Sequence, residues 1–370
     1  MLPRTMVNPI IPRNSNRMVN IMSKFAVVDM SNLFHRMRHG SSGDNDTKIG
    51  LAMHLIFKSL RKLHRELEVD HIVLAVDQGS WRYNSYPNYK SKRRLDRLNA
   101  TEEEQEENEL FFSALNSLIT FFDENTRCTV LKSNGIEGDD FIAHWIKRHP
   151  NDEHIIISGD SDFIQLIAPN VKIFDAIYQR MISIDKIVDV EGKTVEFHVD
   201  QKNGKLKVGK PEKDFIPEED WWKKALFIKL IRGDVGDSIF SAFPGVRYKG
   251  KKHSIENAWD DRHQKGYEWN NLMFQTWDKL IKTSGDEKLT ETVRVVDEFK
   301  INESLIDLTK QPDDVKQQMD ETIDEVISRK PPLTVGLHFI KFCGKFELTD
   351  LSKESSEHTV YLNKQYPREK

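Results

Sequence analysis

Cysteine is nearly absent: the 370-residue chain has two, Cys128 and Cys343, both in or near apolar sequence. So few thiols exclude a disulfide-stapled scaffold and fit reduced, buried cysteines in a cytoplasmic protein. Long hydrophobic runs are also missing. No stretch approaches the roughly 20 apolar residues of a membrane span. Residues 1–22 are polar and rich in Pro, Asn and Arg, with no apolar core of a secretory signal. With Met22 just ahead of the first apolar run, this segment is expected to be a flexible tail. There is no internal repeat and no low-complexity block. Nor does one sign of charge dominate. The formal net charge of −4 does not by itself point to nucleic acid, but acids and bases fall in separate blocks.

Three short apolar runs end in aspartate: Phe25-Ala-Val-Val-Asp29, His71-Ile-Val-Leu-Ala-Val-Asp77 and His154-Ile-Ile-Ile-Ser-Gly-Asp160. Such runs read as strands buried on both faces, as in a parallel sheet. Cys128–Lys132 and Val171–Phe174 are further strands. Helical patterns intervene at about 49–67, from Thr101 through Phe122, and at 137–148. Thr101 and Glu104 fit a capping box. The expected fold is therefore α/β, a central, mostly parallel sheet flanked by helices. Residues 181–213 alternate and read as β-hairpins added to that sheet. A helix is expected over about 218–232, turns and a basic cluster over 233–260, and helices onward to about 328. Pro331-Pro332 separates a C-terminal segment, 331–370. At 370 residues one large or two modest domains fit. The boundaries drawn are a core of 23–232 and a helical region of 233–330.

Ligands of parallel sheets bind beyond the C-terminal strand ends. The acids gather there in five groups: Asp29; Asp77; Glu137, Asp139 and Asp140; Asp160 and Asp162; Asp234 and Asp237. Clustered carboxylates repel one another unless cations intervene. Hard divalent ions take oxygen ligands, and two such ions activate a water and stabilise the leaving oxygen of a phosphodiester. Directly after Asp77 comes a basic, aromatic stretch with Arg82, Tyr83, Tyr86, Tyr89, Lys90, Lys92, Arg93 and Arg94. Its cations suit phosphates and its rings suit unpaired bases. A Pro-Gly turn at Gly245, followed by Arg247, Lys249, Lys251 and Lys252, suits a phosphate-backbone clamp.

In this order the clusters resemble the flap endonuclease and 5′→3′ exonuclease family, particularly its bacteriophage members such as the T-even-type phage ribonuclease H. The resemblance spans about 24–260. It implies a PIN-like 5′ nuclease core with a helical arch at about 80–110 and a helix-three-turn-helix at 233–260. It implies one metal among Asp29, Asp77, Glu137, Asp139 and Asp160, and a second near Asp140, Asp162, Asp234 and Asp237. The ions would be Mg2+, with Mn2+ as a substitute. Lys90, with Arg93, would contact the reacting phosphate. The catalytic set would be Lys90, Arg93, Asp29, Asp77 and Asp160. Implied substrates are flapped or branched DNA and RNA–DNA primer junctions. Implied partners are replication proteins, a sliding clamp or a single-strand-binding protein. The protein would be a cytoplasmic monomer, in the host cytoplasm if of phage origin. Arg247 stands where the family's hairpin has its second glycine, which puts that hairpin's monovalent-ion site in doubt. The alternatives are a catalytically silent DNA-structure binder of this fold and a PIN-like ribonuclease.

Overall fold

The computed structural model describes residues 22–39, 44–250, 254–284 and 287–367. The tail expected at 1–22 thus lies almost wholly outside the described residues. The chain runs β1 (Lys24–Asp29), α1 (Met30–His39), α2 (Asn45–Leu67), β2 (His71–Ala75), α3 (Arg82–Ser85), α4 (Ser91–Leu98), α5 (Glu102–Asn125), β3 (Thr129–Leu131), α6 (Gly138–Arg148), β4 (Glu153–Ile157), β5 (Val171–Asp175), β6 (Arg180–Ile182), β7 (Ile187–Val188), β8 (Thr194–Val199), β9 (Leu206–Pro211) and α7 (Trp221–Arg232). It continues with α8 (Ile255–Asp261), α9 (Tyr267–Met273), β10 (Thr276–Ser284), β11 (Glu287–Arg294), α10 (Val295–Ile306), α11 (Asp313–Ser328), α12 (Val335–Lys345), α13 (Thr349–Lys353) and α14 (Ser355–Leu362).

Among the described residues, nine strands form one sheet in the order β3-β2-β1-β4-β5-β6-β7-β8-β9. The first five in that order pair in parallel. From β5 through β9 the pairing is antiparallel, so residues 181–213 extend the main sheet, as their alternation suggested. Strand alternation divides the core in two. Ala26, Val28, Ile72, Leu74, Ile155 and Ile157 face one layer with α2 and α5. Phe25, Val27, Val73, Ala75 and Ile156 face the other with α6, α11 and the start of α7. Burying each large apolar side chain contributes about 1.5–3 kcal/mol, which is why near-continuous apolar strands settle only between two helical layers.

Local chemistry sets the helix ends. The capping box forms at α5: Glu104 N–H donates to Thr101 Oγ1 (3.2 Å) and Thr101 N–H donates to Glu104 Oε2 (2.9 Å). Helix α4 has no buried residue, and residues 102–106 of α5 are also exposed. This stretch stands clear of the body as an arch would.

One expectation is corrected. Residues 276–284 and 287–294 pair as an antiparallel hairpin, not helix. The β-branched Thr290, Thr292 and Val293 favour a pleated surface. Trp277, paired with Val293, donates from Nε1 to the Ala242 carbonyl (2.9 Å) and ties the hairpin to the third core around α7–α9. The C-terminal segment packs onto the sheet's helical layer. Phe339, Phe342, Leu351, Tyr361 and Leu362 belong to the first core layer, beside α2 and α5. Cys128 and Cys343 are free and buried, as expected.

Candidate active site

Strands β1, β2 and β4 deliver Asp29, Asp77 and Asp160 to one rim of the sheet. Asp29 is fixed by two donors: Asn32 N–H to Oδ1 and Ser158 Oγ–H to Oδ2, both at 3.0 Å. Asp77 Oδ1 accepts from Gly138 N–H at 2.7 Å. A Cβ on Gly138 would lie 3.1 Å from that oxygen, so glycine permits the α6 N-terminus to close on the rim. Asp160 N–H donates to Ser158 Oγ (3.0 Å), while its Oδ1 accepts from Asp162 N–H (3.0 Å). Ser158 thus links two rim acids, and Ser31 Oγ accepts from Asp77 N–H at 3.2 Å. Sequence reading passed over both serines, although their signal was their place within two residues of a strand-end aspartate.

Asp139, in the first turn of α6, turns toward these acids. Burial pushes its carboxyl well above the usual range, and the charges of Asp29, Asp160 and Asp77 add to that. Burial, then Asp77, raises Asp29 to about 7. Burial, then Asp162, raises Asp160. Asp29, Asp139 and Asp160, from three segments, thus sit beside Asp77 in an environment that resists their full ionisation.

A second group is neutralised by side-chain cations. Lys229, on α7 and 8% exposed, pairs with Asp162 and lies 2.7 Å from Asp234. Burial opposes ionisation of Asp234, but Lys229 and the loop N–H groups outweigh it and hold the carboxyl below its ordinary value. Asp237 lies 2.8 Å from Arg93 Nη2, and burial still raises it. Lys90 N–H donates to the Asp237 carbonyl (2.8 Å), joining the arch base to this loop. Lys229 was not identified from sequence, because a lysine on an apolar helix carries no motif.

Glu137, the N-cap of α6, and Asp140, in its first turn, point to one side as their spacing suggested, but that side meets Arg82. Its guanidinium reaches Glu137 at 2.7 Å and grips Asp140 with two nitrogens at 2.8 and 2.9 Å. Trp81 Nε1 and Gln311 Nε2 also donate to Asp140 (3.0 and 3.2 Å). Asp140 is wholly buried and Arg82 is 2% exposed. Asp140 is therefore a structural counterion here, not a member of the acidic rim, and Arg82 does not face nucleic acid. Tyr89 is corrected likewise: it is 3% exposed, and its hydroxyl donates to Glu137 at 3.0 Å. Tyr83 and Tyr86 are half-buried against the fourth core with Leu226 and Phe299. Glu137 receives Ser80, Arg82, Tyr89 and Lys90, and so is the hinge between rim and arch.

Lys92, Arg93 and Arg94 are exposed, although Arg94 also donates to the carbonyls of Tyr89 (3.0 Å) and Pro87 (2.6 Å). Gly245 adopts φ +76°, and Arg247 and Lys249 are exposed beside it. Lys251 and Lys252 lie outside the described residues. Two cavities, about 600 Å³ between α5 and α12 and about 350 Å³ beside β3 and the C-terminus, are lined by none of these acids. The acids occupy an open rim.

The rim offers only carboxylate oxygens, which suits a hard divalent ion. Among the described residues, no three acids, histidines or cysteines close on one point as a finished cage. A hydrated ion held largely through water is the form such donors fit.

A parallel α/β core with an acidic C-terminal rim and a basic span above it has the fold of a solved phage protein. The T5 D15 protein co-crystallized with metal ions matches with a TM-score of 0.52 at 17% identity, covering 82% of this chain and 99% of that one. Residues 24–197 match the model of the 5′-3′ exonuclease N-terminal, resolvase-like domain. The chain is 27% identical over 168 residues to flap endonuclease Xni of Shewanella loihica, covering 44% of this chain and 60% of that protein. It is 30% identical over 164 residues to flap endonuclease Xni of Yersinia enterocolitica, covering 43% and 58%. The chain thus spans less than two thirds of these relatives' length. No helix among the described residues is long and apolar enough to cross a membrane.

Proposed function

We propose that the protein is a metal-dependent 5′ nuclease, a 5′→3′ exonuclease and flap endonuclease that removes RNA primers or 5′ flaps during replication. The observation that carries this reading is the convergence of Asp29, Asp77, Asp139 and Asp160, three of them raised first by burial and then by neighbouring acids, on a rim that Lys90 and Arg93 overhang. A site of this kind is stable in its charged form only with added cations.

Asp29, Asp77, Asp139 and Asp160 would hold one divalent ion, and Asp162, Asp234 and Asp237 would support a second. Two Mg2+ or Mn2+ ions there would supply an activated water and a stabilised leaving oxygen. Lys90 and Arg93, set at the arch base, neutralise the phosphate as charge develops on it. Lys92 and Arg94 lead the 5′ single strand past α4. Arg247 and Lys249 hold duplex backbone without reading bases. Specificity then follows the geometry of a junction, not its sequence.

The test is a 5′-labelled flap substrate with Mg2+ or EDTA, comparing the parent with Asp160→Asn. Expected are Mg2+-dependent cleavage by the parent and its loss in the variant. Binding without cleavage by the parent defeats the enzymatic reading. Equal cleavage by both defeats the site assignment.

A further inference from the structure

Three side-chain cations already pair with acids at or beside this rim. Lys229 bridges Asp162 and Asp234, Lys90 pairs with Glu137, and Arg93 pairs with Asp237. Lys229 is the most telling. It projects from α7, whose other residues at 227, 228, 230 and 231 are buried apolar side chains. Burying an ammonium is costly unless acids compensate it, and here two acids from separate segments converge on one nitrogen. Asp162 sits in the 3-10 turn at 161–166 after β4, and Asp234 in the turn after α7. Nothing in the packing of the apolar core requires a charge at position 229. Its role is toward the acids.

We infer that Lys229, together with Lys90 and Arg93, is a resident counter-cation: it holds the second acidic group against self-repulsion in the metal-free protein and exchanges for a divalent ion on loading. This rests on reading the acids as a metal centre. Lys229 is thereby a positioning residue, acting through Asp162 and Asp234. The exchange has a consequence for substrate. Each displaced ammonium or guanidinium stays tethered beside the rim, where a phosphate diester must lie, and is free to pair with it. Metal loading and phosphate affinity therefore rise together, as coupled binding equilibria must. The metal-free site keeps its own cations on its own acids and has little grip on a phosphate.

The experiment is calorimetric titration of the full chain with MnCl2, without nucleic acid, alongside thermal melts. Removing a positive charge within ion-pair distance of the site strengthens cation binding, so Lys229→Met is expected to bind Mn2+ about tenfold more tightly than the parent. Its metal-free melting temperature falls, and Mn2+ raises it by more than it raises the parent's. Lys229→Arg keeps the charge and keeps the parent's affinity, which a purely structural role would not predict. Arg93→Gln lies on α4, which has no buried residue, and so carries no folding risk. It is expected to tighten Mn2+ about threefold and decides the matter if Lys229→Met does not fold. Unchanged or weaker Mn2+ binding in these neutral variants overturns the exchange while leaving the nuclease reading intact. A parent that binds no Mn2+ overturns both.

Discussion

At Asp29, burial and a neighbouring charge act in one direction. Its carboxyl rises from 3.8 to about 7, through burial first and Asp77 second. The folded form keeps a proton that the unfolded chain has already lost. Stability from this group is therefore fully present below the ordinary value and disappears as pH rises through about 7. Asp139 and Asp160 shift in the same direction. In EDTA the melting temperature is expected to fall between about pH 4 and about pH 7, and saturating Mg2+ should flatten that fall; scanning fluorimetry across this range decides it. On the same reasoning Asp139→Asn should raise the melting temperature of the metal-free protein at neutral pH. A marked drop would make Asp139 structural. Asp140 has a different role, since Arg82 pairs with its carboxylate in the interior. Arg82→Met leaves it buried and unpaired and is expected to cost about 3–5 kcal/mol in chemical denaturation. Asp140→Leu in the Arg82→Met background should recover part of that loss.

Among the elements, α12 and α4 are opposites. Phe339 on α12 is wholly buried, with its ring centroid 5.1 Å from that of Phe57 on α2. Phe339→Ala should cost about 3–5 kcal/mol, measured by denaturant melts, because the C-terminal helices complete the first core layer. Helix α4 buries nothing, and Leu98 is 78% exposed. Lys92→Ala there should change stability by no more than about 0.5 kcal/mol. It should also reduce the salt slope of flap-DNA binding by about 1 if Lys92 pairs with one phosphate. Element patterns were legible to different degrees. Strands β1, β2 and β4 were clear, because β-branched runs bounded by aspartate have few other uses. The β10–β11 hairpin was not, because its polar, Thr-rich alternation resembles a solvated helix face until Trp277 finds its place against Ala242.

For the whole molecule, the sheet order carries the argument. Placing β1 between β2 and β4 puts three strand-end aspartates side by side, and the parallel direction of all three sends them to one rim. Their identity as a group was legible in the sequence, because acid-terminated apolar runs repeat. The partition of the remaining acids was not. Glu137, Asp139 and Asp140 occupy neighbouring positions, yet one is a hinge to the arch, one joins the rim and one is a buried counterion. Helical geometry separates their directions, and the partner that decides each lies far along the chain. Composition and periodicity thus determined the α/β class, the acidic rim and the basic span above it, since these depend on residue type and short-range spacing. Tertiary structure alone decided that Arg82 and Tyr89 face inward, that Lys229 faces the acids and that the C-terminus completes the core. Burial and charge pairing are set by what lies opposite a side chain in space, and local sequence does not encode that.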